Sequence, residues 1–301
     1  MKRTISSRPV LAIALGVVIG CGAIAAQPGG PQTPPQQLVR QAVDNELKNN
    51  NQTAKFMFHD YKETGRGSQT KLMVETTEAM AGMLLAIDGK PLTAEQRTDE
   101  EARLSRLASN RDELRKKQKT EKEDAERTMR MVRALPDAFL YERDGTETGK
   151  EGLGAPGDEL VRLKFRPNPA YDPPSRTEQV LAGMQGYILI DENKLRIAKI
   201  DGTLVKDVAF GWGILGHLDK GGHFLVEQAE AGAGDWEISR MNLAFTGRIL
   251  LFKGLNIKSN EVFTDFHAVA SDLTFAQGVE LLKKQSAQLA ENLSRPDSNP
   301  R

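Results

Sequence analysis

Cysteine is almost absent from this chain of 301 residues, which contains only Cys21. One thiol can neither close a disulfide within the chain nor supply the several thiolates of a typical structural zinc site. Histidine is scarce too, with four residues. Two of them, His217 and His223, lie near Glu227, but His223 and Glu227 would be about 13 Å apart along an extended strand. We therefore expect no metal site and a fold that depends on its hydrophobic core.

The sequence also lacks an excess of charge, since 41 basic residues balance 41 acidic ones. Nucleic-acid binding is disfavoured because no basic excess is present to attract phosphates. Three catalytic motifs are missing: the phosphate-binding glycine loop, the G-x-S-x-G turn and the H-E-x-x-H zinc helix. No carboxylate pair has a spacing that fixes acid–base geometry. We expect a protein without enzymatic activity or cofactor, and an unrecognised hydrolase is the enzymatic alternative.

The N-terminus combines a basic start with a short apolar stretch, which predicts a secretory signal peptide over residues 1–26. Its sequence Val18-Ile19-Gly20-Cys21 resembles the bacterial lipoprotein box, in which the cysteine is acylated and becomes the new N-terminus. Acyl chains on Cys21 would anchor the protein, and stable anchoring needs more than one chain. The alternative is cleavage near Ala25, which would release a soluble protein. Both alternatives predict export, to the periplasm or the outer membrane.

Residues 27–37 are rich in Pro, Gly and Gln, which predicts a flexible tether before a single domain over residues 38–295. Apolar residues at helical spacing from Leu38 to Leu47 predict a first helix. Alternation then predicts an antiparallel meander of three strands that ends at the turn Asp88-Gly89. The predicted strands span residues 55–62, 71–77 and 81–87.

Residues 93–135 carry dense charges of both signs and no Gly or Pro, which predicts a helical insertion. Its apolar residues are too scattered for an uninterrupted coiled-coil seam. The insertion is expected either to be a solvated helix or helical hairpin that lies against the sheet at its two ends, or to bind a partner.

Strand signals resume after Pro136 and are separated by explicit turns. Thr274 and Gln277 then form a capping box that predicts a C-terminal helix. The predicted strands are 138–142, 159–165, 186–190, 194–200, 203–212, 223–229, 236–245, 248–253 and 261–269. The predicted turns include Arg143-Asp144-Gly145, Asp191-Glu192-Asn193, Asp201-Gly202 and Thr246-Gly247.

Several of these strands are apolar on both sides. In 186–190, for example, Ile188 and Ile190 occupy one side, and Tyr187 and Leu189 the other. An antiparallel sheet with one wet face would alternate apolar and polar residues instead, so both faces are expected to be covered. The predicted fold is α+β, with a curved antiparallel sheet (an incomplete β-barrel), helical lids and the charged insertion. A sheet curved in this way either encloses an apolar cavity or fills it with its own side chains.

The order of these elements resembles the LolA/LolB-like family of bacterial lipoprotein carriers and outer-membrane receptors. The resemblance covers roughly residues 158–269 and rests on the F-x-P step in Phe165-Arg166-Pro167 and on the strand Gly186-Tyr187-Ile188-Leu189-Ile190-Asp191 with the strand that follows it. It implies an incomplete barrel whose cavity shields acyl chains without covalent chemistry. The insertion 93–135 departs from the family pattern, and no partner-docking residue of the family matches a position here.

The segment from Phe210 to Leu218 interleaves large apolar residues with glycines. It predicts either a loop that contacts lipid, where Trp is favoured, or a buried strand end with close backbone packing. The candidate lipid-contacting residues are Phe165, Ile188, Trp212, Ile214, Leu215, Phe224 and Val226.

Together these features predict an envelope protein that binds acyl chains or lipoproteins and takes part in outer-membrane lipoprotein sorting. The alternative is an interaction module with a filled core that contacts its partners through the charged helix.

Overall fold

A computed structural model describes residues 33–49, 54–210, 216–232, 234–249 and 253–294. Cys21, the predicted signal peptide and residues 27–32 of the predicted tether lie outside this part of the chain. The helices are α1 (Pro35–Asn49), α2 (Ala94–Ser109), α3 (Arg111–Ala138), α4 (Arg176–Gln179) and α5 (Phe275–Ser294), with a 3₁₀ turn at Leu181–Gly183. The strands are β1 (Lys55–Thr64), β2 (Gly67–Val74), β3 (Ala81–Ile87), β4 (Lys90–Pro91), β5 (Phe139–Thr148), β6 (Glu159–Pro167), β7 (Met184–Asp191), β8 (Arg196–Leu204), β9 (Val208–Phe210), β10 (Gly216–Leu218), β11 (His223–Gly232), β12 (Asp235–Ile249) and β13 (Lys253–Val269).

These strands form one large antiparallel sheet that is not closed into a barrel. Its order is β4-β3-β2-β1-β13-β12-β11-β8-β7-β6-β5, and the short strands β10 and β9 extend from the end of β12. The predicted α+β class is therefore confirmed. The first strand, β1, pairs along its length with the last, β13.

The predicted first helix and three-stranded meander are confirmed. Helix α1 begins at Pro35, inside the predicted tether, because proline is well suited to the first turn of a helix. The Asp88-Gly89 turn joins β3 to β4 with positive φ at both residues, 48° and 71°. Two positive φ values are typical of the type I′ hairpin turn, whose twist matches that of the flanking strands.

The charged segment forms two helices, α2 and α3, with a break at Asn110. The Asn110 side chain caps α3 by accepting hydrogen bonds from the backbone N–H groups of Asp112 and Glu113. The predicted capping box of α5 is present: Gln277 Oε1 accepts from the Thr274 N–H at 2.9 Å, and the Gln277 N–H donates to Thr274 Oγ1 at 3.4 Å.

Two predicted turns are wrong because their glycines lie within strands. Gly202 is within β8, and Gly247 is within β12, which covers the predicted strand 236–245 and continues to Ile249, into the start of the predicted strand 248–253. A Cβ on Gly202 would lie 2.8 Å from Met184 Cε, and one on Gly247 would lie 2.1 Å from the His217 carbonyl oxygen. The glycines therefore allow close approach of neighbouring groups rather than a change of chain direction.

The predicted turn at Arg143-Asp144-Gly145 is also wrong, because it is a bulge within β5. The register with β6 shifts between Arg143 and Thr146, and Gly145 has a φ of 98°. Glycine at such a position supplies the left-handed conformation that a bulge of this kind requires. The Asp191-Glu192-Asn193 turn is confirmed between β7 and β8, where the Asp191 carboxylate accepts from the N–H groups of Asn193 and Lys194.

Three groups of buried apolar side chains form the core, and two of them hold helices on the sheet. Cluster 1 joins α1 and the end of α3 to strands β5–β8, cluster 2 joins α2 and α5 to β1–β3, and cluster 3 covers β6–β8 from the other side. Members of cluster 1 include Leu38, Val39, Leu135, Phe139, Leu163, Ile188 and Ile190. Members of cluster 2 include Leu72, Val74, Met83, Leu104, Leu114, Phe275 and Leu282, and those of cluster 3 include Leu160, Leu189 and Trp236.

Both faces of β7 are covered, as predicted, since Ile188 and Ile190 belong to cluster 1 and Leu189 to cluster 3.

Clusters 1 and 2 lie on opposite faces of the sheet. Residues that lie opposite each other on neighbouring strands share a face of the sheet. Phe224, which packs on cluster 1, lies opposite Leu243. Leu243 lies opposite Ser259, and Ser259 lies opposite Thr64, so Thr64 is on the face of cluster 1. Leu72 of cluster 2 lies opposite His59, which is an odd number of residues from Thr64 and hence on the other face.

Side chains from α2 and α3 cover the part of β3 that the two-residue strand β4 leaves unpaired. The Glu100 carboxylate accepts from the Leu84 N–H at 2.8 Å, and Arg103 donates to the Gly82 carbonyl at 3.0 Å. Glu121 of α3 accepts from the Met80 N–H at 3.0 Å. These contacts occupy backbone groups that would otherwise be free to pair with another strand.

Candidate functional site

An apolar cavity of about 560 Å³ lies on the cluster 1 face of the sheet, between that face and helices α3 and α4. Four of its lining residues come from successive turns of α3, because positions three or four apart share one side of a helix. Residues from α4, the 3₁₀ turn and strands β5–β12 complete the wall. The lining residues are Thr128, Met131, Val132, Leu135, Phe139, Phe165, Arg176, Thr177, Val180, Leu181, Met184, Ile200, Phe210, Leu218, Phe224 and Phe245.

The cavity has a buried floor and a partly exposed wall. The floor consists of Leu135, Phe139, Phe165, Leu181 and Met184, each at most 6% exposed. The rings of Phe139 and Phe165 are 4.5 Å apart. The remaining apolar lining residues are half-buried, and Thr128 and Arg176 are exposed. A ligand would therefore enter past Thr128 and Arg176 and end against the Phe139–Phe165 pair.

Polar groups are few around this cavity. Tyr141, which packs beside Phe139 and Phe165, donates its hydroxyl proton to the Leu135 carbonyl at 2.9 Å. Burial raises the pKa of Tyr141 well above its usual range, so the phenol stays neutral. Arg176 is the one charged residue among the lining residues. The arrangement suits an apolar ligand, with one cation at its mouth.

The structure brings two of the predicted lipid-contacting residues, Phe165 and Phe224, to the cavity. Ile188 is 1% exposed within cluster 1 and does not line the cavity. Val226 is half-buried on the same side of β11 as Phe224, beyond the lining. Trp212, Ile214 and Leu215 lie outside the described residues, as does Cys21.

The sequence predicted helical lids but none of the helix residues that line the cavity. Met131 and Val132 of α3 and Val180, directly after α4, line it. The available signal was the spacing of Thr128, Met131, Val132 and Leu135, which marks one helix face.

His223 and Glu227 are linked through their partners Asp201 and Lys199, whose side chains lie 3.8 Å apart. His223 Nε2 lies 3.0 Å from Asp201, and Glu227 Oε1 lies 3.1 Å from Lys199 Nζ. His217 Nε2 lies 3.1 Å from Asp219. In the described part of the chain, no three His, Cys, Asp or Glu side chains lie close enough together to hold a metal ion.

A cluster of ionisable groups lies apart from the cavity lining. Glu46 Oε1 of α1 is 3.1 Å from Arg196 Nε and accepts the Ile197 N–H at 3.0 Å. Burial raises the pKa of Glu46 despite this arginine. Burial, together with the nearby charges of Glu75, Asp235 and Glu46, raises the pKa of Glu237 to about 8. Near neutral pH, Glu237 therefore keeps a proton that an exposed glutamate would have lost.

No protein-family model matches this sequence, and no curated protein matches it either. The resemblance to the LolA/LolB-like family stays a prediction from the sequence. Within the described ranges, no helix has both the length and the apolar character needed to cross a membrane.

Proposed function

We propose that the protein is a non-enzymatic lipid- or lipoprotein-binding protein of the cell envelope, which shields acyl chains from water in its cavity. The lining carries this proposal, since thirteen of its sixteen residues are apolar. Each methylene that enters such a cavity gains about 0.8 kcal/mol. The volume of about 560 Å³ is within the range of roughly 300–1,000 Å³ that small-molecule sites occupy. An open cavity of this kind favours a ligand over a filled core.

We propose that the sheet is curved into an incomplete barrel and that α3 spans its opening as a lid. Helix α3 contacts Met80, beside β3, through Glu121 and leads at Ala138 into β5. These two points of the helix are about 26 Å apart at 1.5 Å per residue. In a flat sheet, β3 and β5 would be nine strand spacings apart, or about 43 Å. Curvature of the sheet brings its two ends within reach of one helix.

The resemblance to lipoprotein carriers and receptors supports a role in outer-membrane lipoprotein sorting, with Cys21 as a lipid anchor. If Cys21 is acylated, Cys21→Ser is expected to move the protein from the membrane fraction to the soluble periplasmic fraction. Cell fractionation with immunoblotting measures this. An unchanged distribution would support cleavage near Ala25 instead.

The cavity itself is tested by native mass spectrometry with lipid extraction on the full chain carrying Cys21→Ser, produced in a bacterial periplasm. We expect a stoichiometric co-purified lipid or fatty acid. Met131→Trp fills the cavity and is expected to abolish this ligand. Met129→Trp is the matched control, since Met129 lies on the same helix outside the lining, and should retain it.

A ligand-free mass that stays unchanged after an acylated peptide is offered would contradict the proposal. The interaction module would then be favoured, and one observation supports it. Residues 122–127 of α3 are all exposed, over more than one and a half turns, so the middle of this helix offers an exposed surface to a partner. A pull-down that compares the wild-type protein with a variant whose charges in this segment are reversed would identify such a partner.

A further inference from the structure

We infer that the cavity binds a single-chain amphiphile with an anionic head group, a fatty acid, and that Arg176 holds its carboxylate at the mouth. This inference rests on the proposed function, because it names the ligand class of the same cavity.

Arg176 has the position and the freedom that a head-group residue needs. It lines the cavity at its exposed rim, whereas the floor is apolar. Within the described residues it makes no ion pair or hydrogen bond. The Thr177 hydroxyl beside it also lines the cavity and has no partner there. A guanidinium presents paired N–H donors that match the two oxygens of a carboxylate.

The charged side chains of α3 near the mouth of the cavity are mostly positive, as Arg176 is. The last twelve residues of α3, which carry its cavity-lining side chains, contain three arginines and one aspartate, Asp137. Asp137 pairs with Arg40 of α1 at 2.7 Å, and Arg127 pairs with Asp124 one turn earlier on α3. Arg130 and Arg133 alternate with the lining residues and have no ion pair in the described part of the chain. This field attracts an anion and disfavours a cation at the same position.

The buried acid that lies beside Arg176 in the sequence does not reverse this preference. Glu178, two residues after Arg176, is 6% exposed and is not among the lining residues. Among the described residues, no acidic side chain lines the cavity. The lining therefore offers an anionic head group one cation and no repelling carboxylate.

The volume favours one chain over two. At roughly 30 Å³ for each water-sized group, a cavity of about 560 Å³ accommodates on the order of eighteen methylene-sized groups. That is one long acyl chain, and a two-chain phospholipid would leave much of its second chain outside.

The test compares head groups on one chain length by displacement of Nile red, an uncharged probe, from the full chain freed of co-purified lipid. The competitors are dodecanoate, dodecanol, dodecyltrimethylammonium and dilauroyl phosphatidylglycerol. We expect dodecanoate to bind most tightly. Arg176→Gln is expected to weaken the binding of dodecanoate about fivefold at low salt, which is the upper range for an exposed ion pair. The affinity for dodecanol should change by no more than about twofold. Arg176→Lys should lose less affinity for dodecanoate than Arg176→Gln does. Added salt should weaken the binding of dodecanoate but not that of dodecanol. The control Arg111→Gln, at the far end of α3, should change neither.

Equal binding of dodecanoate, dodecanol and dodecyltrimethylammonium, or no effect of Arg176→Gln, would overturn the inference and leave the proposed function standing. Tighter binding of phosphatidylglycerol than of dodecanoate would overturn the single-chain assignment. If neither Nile red nor any competitor binds the wild type, the proposed function fails and this inference fails with it.

Discussion

Replacing Glu237 with glutamine is expected to stabilise the protein, and the gain should depend on pH. Glu237 lies near Glu75, Asp235 and Glu46, and burial adds to their repulsion, so its pKa in the folded protein is about 8. The unfolded chain has the ordinary value of 4.5. Between these values the folded state holds a proton that the unfolded state has released. Stability therefore falls as the pH rises through this window, and it levels off above pH 8.

The size of the effect follows from the interval of about 3.5 pH units between 4.5 and about 8. At 1.36 kcal/mol per unit, the ceiling is about 5 kcal/mol. Because water reaches part of the Glu237 side chain and screens the nearby charges, we expect a change of about 2 kcal/mol in the free energy of unfolding. Glutamine resembles the protonated glutamate and carries no charge at any pH. Glu237→Gln should accordingly match the wild type near pH 4.5 and exceed it by about 2 kcal/mol above pH 8.

Urea unfolding followed by circular dichroism at several values between pH 4.5 and pH 9 measures this difference. Glu63→Gln, at an exposed position of β1, is the control and should leave the pH profile unchanged. A constant difference between Glu237→Gln and the wild type across the range would refute the reasoning, because a packing change has no reason to follow the titration.

Three further predictions concern the sheet and the cavity. Glu100→Ala leaves the edge N–H of Leu84 without its acceptor and should cost about 1–3 kcal/mol, measured by urea unfolding. Gly186→Ala places a Cβ 1.8 Å from a backbone oxygen of β8 and should cost about 3 kcal/mol or more, whereas Gly254→Ala, with open space around it, should stay within about 0.5 kcal/mol. Shortening a bound acyl ligand by two methylenes should raise its Kd about 15-fold, measured by calorimetry; equal Kd values would show that the chain lies outside the cavity.

Much of the local structure is predictable from the sequence because its determinants are close together along the chain. The meander β1–β3, the Asp88-Gly89 turn and the capping box at Thr274 each depend on a few neighbouring residues. The errors have a common cause. A glycine that permits close packing between strands, such as Gly202 or Gly247, has the same local sequence signature as a glycine in a turn. Only the register of the partner strands distinguishes the two cases.

The cavity was less accessible to sequence reasoning because its wall combines distant segments. Phe165 and Phe224 could be selected from strand patterns, since they alternate with polar or oppositely facing neighbours. Met131 and Arg176 could not be selected, because nothing near them in sequence shows which part of the sheet their helices cover. The covered face depends on where α3 crosses from cluster 2 to cluster 1.

The pairing of β1 with β13 has a consequence for how the chain acquires its structure. Nearly two hundred residues separate the partners, as in Thr64 and Ser259, so this ladder closes only after the last strand has been synthesised. Until then the outer edge of β1 and its apolar residues Phe56, Met57 and Phe58 have no partner on that side. Such long-range pairing slows folding and prolongs exposure to aggregation. We therefore expect chaperones to matter more while this protein folds than once it is folded.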